Sequence, residues 1–170
     1  YGIYPRSFFQ VNTDMISKLY DKVLDYAGTS KTLIDLYCGA GTIGIYLAKN
    51  FDTVKGIEIN KAAIDSANLN KKINNINNIS FECKGANEIS NISSDVVVVD
   101  PPRSGLDKKT INTLLDSSSK KIVYVSCDPI TLARDLNILK ERYELKDITL
   151  FDMFPNTRHI ETVCNLDRKN

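Results

Sequence analysis

Short, continuously apolar segments alternate with amphipathic segments along most of this chain of 170 residues. Strands that are apolar throughout are typical of a parallel sheet covered by helices on both faces, so this order restricts the fold strongly. Strands are predicted at residues 32–36, 53–57, 79–82, 96–99, 122–125, 143–151 and 160–166. Helices are predicted at residues 13–28, 42–49, 60–74, 108–115 and 128–139. The sequence therefore predicts an α/β domain with a doubly wound, mostly parallel sheet that ends in an antiparallel strand.

Charge and segment length exclude several classes of protein. The apolar runs are only a few residues long, which excludes a transmembrane helix. No charged leader with an apolar stretch is visible, so we expect a cytoplasmic protein. Lys and Arg number 22 and Asp and Glu 21, and this balance excludes a strongly basic nucleic-acid-binding surface but leaves room for a local patch.

The four cysteines do not form a C-x-x-C pair, so no zinc or iron–sulfur site is expected within this chain. Cys38, Cys83 and Cys164 are expected to pack in the core. Cys127 follows a predicted strand and precedes a helix that begins near Asp128, where the helix dipole favours a thiolate. The carboxylate of Asp128 opposes that effect, so we do not expect a strongly lowered thiol pKa.

A glycine-rich turn follows the first strand, with the pattern G-x-G-x-x-G at Gly39, Gly41 and Gly44. Glycines allow the backbone to approach a ligand closely, and Glu58 after the second strand is placed to bind ribose hydroxyls. The pattern alone does not distinguish a dinucleotide from S-adenosylmethionine (SAM). Asp35 favours SAM, because an acid would repel a pyrophosphate and attract the cationic methionine end.

Two further side chains, Tyr37 and Thr42, line the same turn and are predicted cofactor neighbours, with simple packing as the alternative. Asp100 leaves the fourth strand ahead of two prolines that stiffen the loop. Arg103 in that loop is a candidate to pair with Asp100 or with a phosphate, with a solvated side chain as the alternative. Glu161, on the last predicted strand, is a candidate general base.

Taken together, these motifs resemble the catalytic domain of the SAM-dependent RNA uracil-C5 methyltransferases, which make 5-methyluridine in ribosomal and transfer RNA. The motifs that carry the resemblance are residues 7–12 (SFFQVN), 35–44 (DLYCGAGTIG), 56–58 (GIE), 100–105 (DPPRSG), 126–135 (SCDPITLARD) and 154–161 (FPNTRHIE). Each motif is weak by itself, whereas their order is specific.

The resemblance implies a class I methyltransferase fold of the Rossmann-like type, with residues 1–170 as one catalytic domain from the carboxyl-terminal part of a longer protein. It implies Cys127 as the nucleophile, Glu161 as the general base, and contacts to SAM or its surroundings from Gln10, Tyr37, Glu58 and Asp100. It also implies an RNA substrate, with 23S rRNA favoured over tRNA, and no metal in this segment. The family usually has Asn where this chain has Asp128.

Other classes of function remain open at this stage. A class I methyltransferase acting on an exocyclic amine would also place Asp-Pro-Pro beside SAM, but it would need no cysteine. An NAD-dependent oxidoreductase would share the glycine turn. A non-catalytic RNA-binding domain would bind RNA without methyl transfer.

Overall fold

The computed structural model describes residues 13–153 and 160–170, and its elements alternate as the sequence predicts. The helices are α1 (Thr13–Ala27), α2 (Thr42–Leu47), α3 (Lys61–Ile73), α4 (Lys108–Asp116) and α5 (Pro129–Leu139). The strands are β1 (Ser30–Leu36), β2 (Phe51–Glu58), β3 (Ile79–Cys83), β4 (Val96–Val99), β5 (Lys121–Ser126), β6 (Tyr143–Phe151) and β7 (Glu161–Arg168). Short 3-10 turns occupy Ala48–Asn50 and Ala86–Glu88, so the second helix ends two residues earlier than predicted.

The seven described strands form one sheet in the order β3-β2-β1-β4-β5-β7-β6. The ladders among β1 to β5 are parallel, whereas β7 is antiparallel to both β5 and β6. The predicted mostly parallel sheet with an antiparallel final strand is therefore confirmed. Crossover helices cover both faces, as parallel strands require.

The core has two halves, one on each face of the sheet. In β4, Val96 and Val98 join the half beneath α1 and α2, whereas Val97 and Val99 join the half beneath α4 and α5. This division follows from the alternation of side chains along a strand and explains why four valines occur in succession. All four are nearly inaccessible, and burying each stabilises the fold by roughly 1.5–3 kcal/mol.

Side-chain caps define where the helices begin. The Asn60 side chain accepts hydrogen bonds at the start of α3, and Asp107 does the same for α4. Asp128 caps α5 with Pro129 in the first turn, as predicted. Gly28 adopts a left-handed φ of 68° just beyond the end of α1, which confirms its role as a stop.

The cysteine assignments are confirmed at two positions and wrong at one. Cys38 and Cys164 are buried, whereas Cys83 is exposed. Cys83 is the last residue of β3, which is an edge strand of the sheet, and its thiol lies 3.4 Å from the carbonyl oxygen of Ile59. Among the described residues, no helix is long and apolar enough to span a bilayer.

Candidate active site

The predicted site residues converge at one edge of the sheet. Parallel β1, β2, β4 and β5 all end there, so the glycine turn, Glu58, Asp100 and Cys127 follow neighbouring strands. Strand β7 runs in the opposite direction and begins at this edge. Its register pairs Thr162 with Ser126, which places Glu161 opposite Cys127. Ligands of such sheets bind at this carboxyl edge.

The glycine turn is held by the acid that follows β2. The backbone N–H of Gly39 donates to a carboxylate oxygen of Glu58 at 3.2 Å, and the other oxygen accepts the N–H of Asn60 at 2.8 Å. Gly39 has a φ of 53°, and a Cβ there would meet open space. The turn therefore presents bare backbone beside a fixed carboxylate, which is a suitable cradle for a ligand.

Tyr37 and Thr42 flank this turn. Tyr37 has a left-handed φ of 62°, which is uncommon outside glycine, and its half-buried ring packs toward α4 and α5. The Thr42 hydroxyl accepts a hydrogen bond of 2.8 Å from Tyr20 in α1. Both residues thus support the shape of the turn, and their cofactor contacts stay predictions. Gln10 lies outside the described residues.

Asp35 lies beneath the turn rather than facing it. Its carboxylate is fully buried and accepts the backbone N–H of Gly44 at 3.0 Å. The Asp35 carboxylate, which is predicted to attract the methionine end of a cofactor, thus stabilises the turn through its bond to Gly44. Asp35 can act on a ligand through its field, but its side chain has no exposed surface.

Asp100 is a strongly perturbed carboxyl group at this edge. Burial, followed by the negative charges of Glu161 and Asp35, raises its pKa to about 8. Asp100, Glu161 and Asp35 lie close enough to influence one another, and they form an acidic region whose ionised forms a cation would stabilise. Such a region favours a cationic ligand over a pyrophosphate.

Cys127 is half-buried, and burial is the first cause of a raised thiol pKa. The charges of Glu161 and Asp100 raise the pKa further, while the charge and a hydrogen bond of Arg103 lower it. The expectation that this pKa is not strongly lowered is therefore consistent with its surroundings. Glu161 and Asp100, the acids that raise the thiol pKa, lie on neighbouring elements. The carboxylate of Asp128 instead accepts hydrogen bonds from the backbone of α5.

Arg103 interacts with the thiol of Cys127 by its charge and a hydrogen bond, a contact that the sequence does not predict. The backbone of its loop explains the placement, because the Thr131 hydroxyl in α5 donates to the carbonyl oxygen of Arg103 at 3.0 Å. A local sequence pattern cannot predict the contact of Arg103 with Cys127, because the two residues lie far apart in the chain. Glu161 is only 3% exposed, and the rest of the motif at residues 154–161 lies outside the described residues except for Ile160.

A groove of about 560 Å³ opens beside this loop, between the first turn of α4 and the outer surface of α5. Arg134 and Lys108 line it, whereas Cys127, Glu58 and Asp100 do not. The candidate site is therefore the sheet edge and not this groove. In the part of the chain that the structure describes, no three acidic, Cys or His side chains are placed to hold a metal ion.

Comparison with known proteins agrees with this geometry. The chain is similar to an uncharacterized RNA methyltransferase of Staphylococcus aureus, with 43% identity over 99% of this chain and 39% of the relative. A protein of the same description from Halalkalibacterium halodurans is also 43% identical, over all of this chain and 39% of the relative. The chain thus spans about two fifths of the length of these relatives.

Solved structures of methyltransferases are also similar to this chain. The tRNA (uracil-54, C5)-methyltransferase of Pyrococcus abyssi, in complex with S-adenosyl-L-homocysteine, superposes with a TM-score of 0.90 at 42% identity, covering 96% of this chain and 41% of that one. The N-methyltransferase NodS of Bradyrhizobium japonicum shares the fold, with a TM-score of 0.79 at 15% identity over 94% of this chain and 90% of that one. The sequence model of the tRNA (uracil-5-)-methyltransferases matches residues 1–96 and 88–169, and the chain therefore belongs to this family.

Proposed function

We propose that this chain is the catalytic domain of a cytoplasmic enzyme that transfers a methyl group from SAM to C5 of a uridine in RNA. The observation that carries the proposal is the position of Cys127 within reach of Arg103 and Glu161, at the same sheet edge as the glycine turn. The acids around this thiol disfavour a dinucleotide oxidoreductase, because they would repel a pyrophosphate. The family to which the chain belongs favours the same reaction.

The residues at the edge suit SAM as the methyl donor. SAM supplies an electrophilic methyl group on a positively charged sulfonium. A sulfonium bound near Asp100, Asp35 and Glu161 would stabilise the ionised forms of these acids, and this coupling favours its binding. Glu58 and the open backbone at Gly39 offer acceptor oxygens and space for a nucleoside.

Uracil C5 is a weak nucleophile, and a cysteine overcomes this difficulty. The Cys127 thiolate adds to C6, so that a new S–C6 bond forms and the C5–C6 π electrons move to the C4 carbonyl as an enolate. The enolate makes C5 electron-rich, so that C5 would take the methyl group of SAM as the C4 carbonyl re-forms, with the neutral thioether S-adenosyl-L-homocysteine as the leaving group. Arg103 favours the thiolate form needed for the first step, because its charge and hydrogen bond lower the thiol pKa.

The last step restores the aromatic ring. A carboxylate oxygen of Glu161 accepts the C5 proton, the C5–C6 double bond re-forms, and the S–C6 bond breaks to return the thiolate. The register opposite Cys127 puts Glu161 on the correct edge for this role. The uracil must first leave its stack, at a cost of about a few kcal/mol, which is least in loops and single strands.

The test uses RNA containing 5-fluorouracil and the full-length protein. Fluorine in place of the C5 hydrogen leaves no proton for Glu161 to remove, so a covalent protein–RNA adduct should accumulate with SAM present. Cys127→Ala should abolish this adduct, and Cys83→Ala, at the exposed cysteine, is the matched control and should retain it. An adduct with Cys127→Ala, or normal methylation by that variant, would overturn the mechanism.

The choice of RNA forms a finer part of the proposal. We favour 23S rRNA over tRNA, and the tRNA substrate of the similar archaeal enzyme makes tRNA the principal alternative. Nucleoside mass spectrometry of separated rRNA and tRNA from cells lacking the gene decides between them. Loss of 5-methyluridine from tRNA alone would reject the rRNA assignment.

A further inference from the structure

A buried carboxylate outside the catalytic set connects the two segments that carry the reactive groups. Asp135, in α5, has no exposed surface. One of its oxygens accepts the Tyr124 hydroxyl at 2.7 Å and the Leu106 backbone N–H at 2.8 Å, and the other accepts Nε of Arg134 at 2.9 Å. A buried acid with this many donors is a fixed point in the structure.

The three partners of Asp135 come from different segments. Tyr124 lies in β5, three residues before Cys127, and Leu106 lies in the loop that joins β4 to α4. Arg134 precedes Asp135 in α5 and extends the connection, because its Nη2 donates to the carbonyl oxygens of Ser104 at 2.9 Å and of Leu106 at 3.2 Å. Strand β5, helix α5 and this loop are thus bonded to one carboxylate.

The same loop carries the groups that act on Cys127. Asp100 and Arg103 lie in it, and both influence the thiol, Asp100 by its charge and Arg103 by its charge and a hydrogen bond. Movement of the loop relative to α5 would change both contacts. Thr131 adds one further bond from α5 to the loop, at the carbonyl oxygen of Arg103.

The loop is shaped to accept this carboxylate. Gly105 has a φ of 73°, and a Cβ at this position would lie 2.6 Å from a carboxylate oxygen of Asp135 and 2.6 Å from Nη2 of Arg134. Glycine is therefore needed twice, for its backbone conformation and for the space it leaves. The contact can be disturbed from the loop side without changing any charge.

We infer that Asp135 is a positioning residue, which holds the loop of Asp100 and Arg103 against α5 so that both face Cys127 in the reactive geometry. The inference rests on the proposed function, because it assigns this carboxylate to the same methyl transfer. Small displacements of reacting groups have large effects, so loss of the Asp135 contacts should lower kcat by about 10- to 100-fold. The KM for SAM should rise less than kcat falls, because Asp100 lies in this loop but the other proposed SAM contacts, Glu58 and the glycine turn, follow β2 and β1.

The first test compares Asp135→Asn and Tyr124→Phe with Asp116→Asn in the full-length protein. Asp116 is an exposed acid at the end of α4 and serves as the control. Asp135→Asn should lower kcat by the stated amount, Tyr124→Phe should lower it less, and the control should match the wild type. Thermal unfolding and far-UV circular dichroism establish that each variant is folded. An unchanged kcat in folded Asp135→Asn would overturn the inference.

The second test reads the thiol directly and needs no RNA. Iodoacetamide alkylation of Cys127 is followed by peptide mass spectrometry against pH, with exposed Cys83 as the internal reference. The thiol is faced by Glu161 from β7, by Asp100 and Arg103 from the loop, and by its neighbour Asp128. Gly105→Ala keeps all four charged side chains. If the substitution did not displace the loop, the pH profile of Cys127 alkylation would therefore stay as in the wild type.

Arg103 lies two residues from Gly105, whereas Asp100 directly follows β4 and its backbone N–H is bonded to the Leu36 carbonyl oxygen. Gly105→Ala should therefore displace Arg103 more than Asp100 and move the alkylation profile of Cys127 to higher pH, while the profile of Cys83 stays fixed. In an Arg103→Met background, Gly105→Ala should cause no further shift of this kind. An unshifted Cys127 profile in folded Gly105→Ala would reject the positioning role. Wild-type protein without methyl transfer or adduct formation would instead reject the proposed function, whatever the variants do.

Discussion

The carboxylate of Asp35 is fully buried beneath the glycine turn and accepts the backbone N–H of Gly44 at 3.0 Å. Its second oxygen has no hydrogen-bond partner among the described residues. Burial, with a smaller contribution from the charge of Glu58, raises its pKa from 3.8 to about 7, against the opposing effect of the Gly44 bond. The turn that would hold the cofactor is thus built over an acid that is partly protonated near neutral pH.

Replacement of this acid should change how stability depends on pH. Because the folded pKa of Asp35 lies above its unfolded value, the folded state binds more protons, and the free energy of unfolding falls as pH rises from about 4 to about 7. A shift of this size corresponds to at most about 4 kcal/mol. Asp35→Asn should remove that part of the fall, as measured by urea unfolding between pH 5 and pH 8.

A control variant separates this effect from general electrostatics. Asp52→Asn changes an exposed acid in β2 and should leave the pH dependence of unfolding as it is in the wild type. If Asp35→Asn also retained the wild-type dependence, Asp35 would not be the buried acid responsible.

The charge of Asp100 should couple SAM binding to pH. Its pKa is raised to about 8 by burial and by the charges of Glu161 and Asp35, so the group is mostly protonated at pH 6. A sulfonium favours the ionised form, so SAM affinity should increase between pH 6 and pH 8, by up to about tenfold per pH unit. Asp100→Asn should flatten this dependence and weaken binding at pH 8, as isothermal titration calorimetry would measure.

S-adenosyl-L-homocysteine provides the matched ligand for this prediction, because its neutral thioether lacks the sulfonium charge. Its affinity should change less with pH than that of SAM. Equal pH dependence for the two ligands would mean that Asp100 does not respond to the charge on sulfur.

Most of the fold could be predicted from the sequence, because strand and helix periodicities are local and parallel strands bring their carboxyl ends to one edge. The positions of Glu58, Asp100 and Cys127 follow from that rule, whereas Glu161 reaches the same edge because antiparallel β7 begins there. Cys83 illustrates where local patterns fail, since its exposure depends on β3 being an edge strand, which is decided by strand order.

Two features of the site depend on contacts that no local pattern records. Arg103 faces Cys127 because its loop is bonded to Thr131, in a helix that follows much later in the chain. Tyr37 adopts a left-handed backbone conformation that sequence preferences assign to Gly or Asn. Such side chains are positioned by tertiary packing, and the sequence indicates only which loop they occupy.

Loss of the Arg103 charge should make the thiol less acidic. Arg103 is the group that lowers the Cys127 pKa against burial, Glu161 and Asp100. Arg103→Met should therefore shift the iodoacetamide alkylation profile of Cys127 to higher pH, while Arg103→Lys, which keeps the charge, should shift it less. The profile of Cys83 should be identical in all three proteins. A Cys127 profile that Arg103→Met leaves unchanged would show that the guanidinium does not stabilise the thiolate.

A methyl group added at Gly41, in the glycine turn, should destabilise the fold more than one added at Gly28, at the end of α1. Gly41 has a φ of 76°, and a Cβ there would lie 2.5 Å from the ring of Phe81 and 3.0 Å from Cβ of Ala67. Gly28 has a similar φ of 68°, but a Cβ there would meet nothing within 4 Å. Gly28→Ala should therefore lower the free energy of unfolding only by the backbone strain, roughly 1–2 kcal/mol.

Gly41→Ala introduces the same backbone strain, and its methyl group must also displace the Phe81 ring that packs against Gly41. Overpacking of this kind costs typically about 1–3 kcal/mol more. Urea unfolding of the two variants should show the larger loss for Gly41→Ala, and SAM affinity should fall in that variant alone, because only its substitution moves the turn. Equal destabilisation in the two variants would mean that Phe81 yields freely and that the close packing beneath Gly41 does not fix the shape of the cradle.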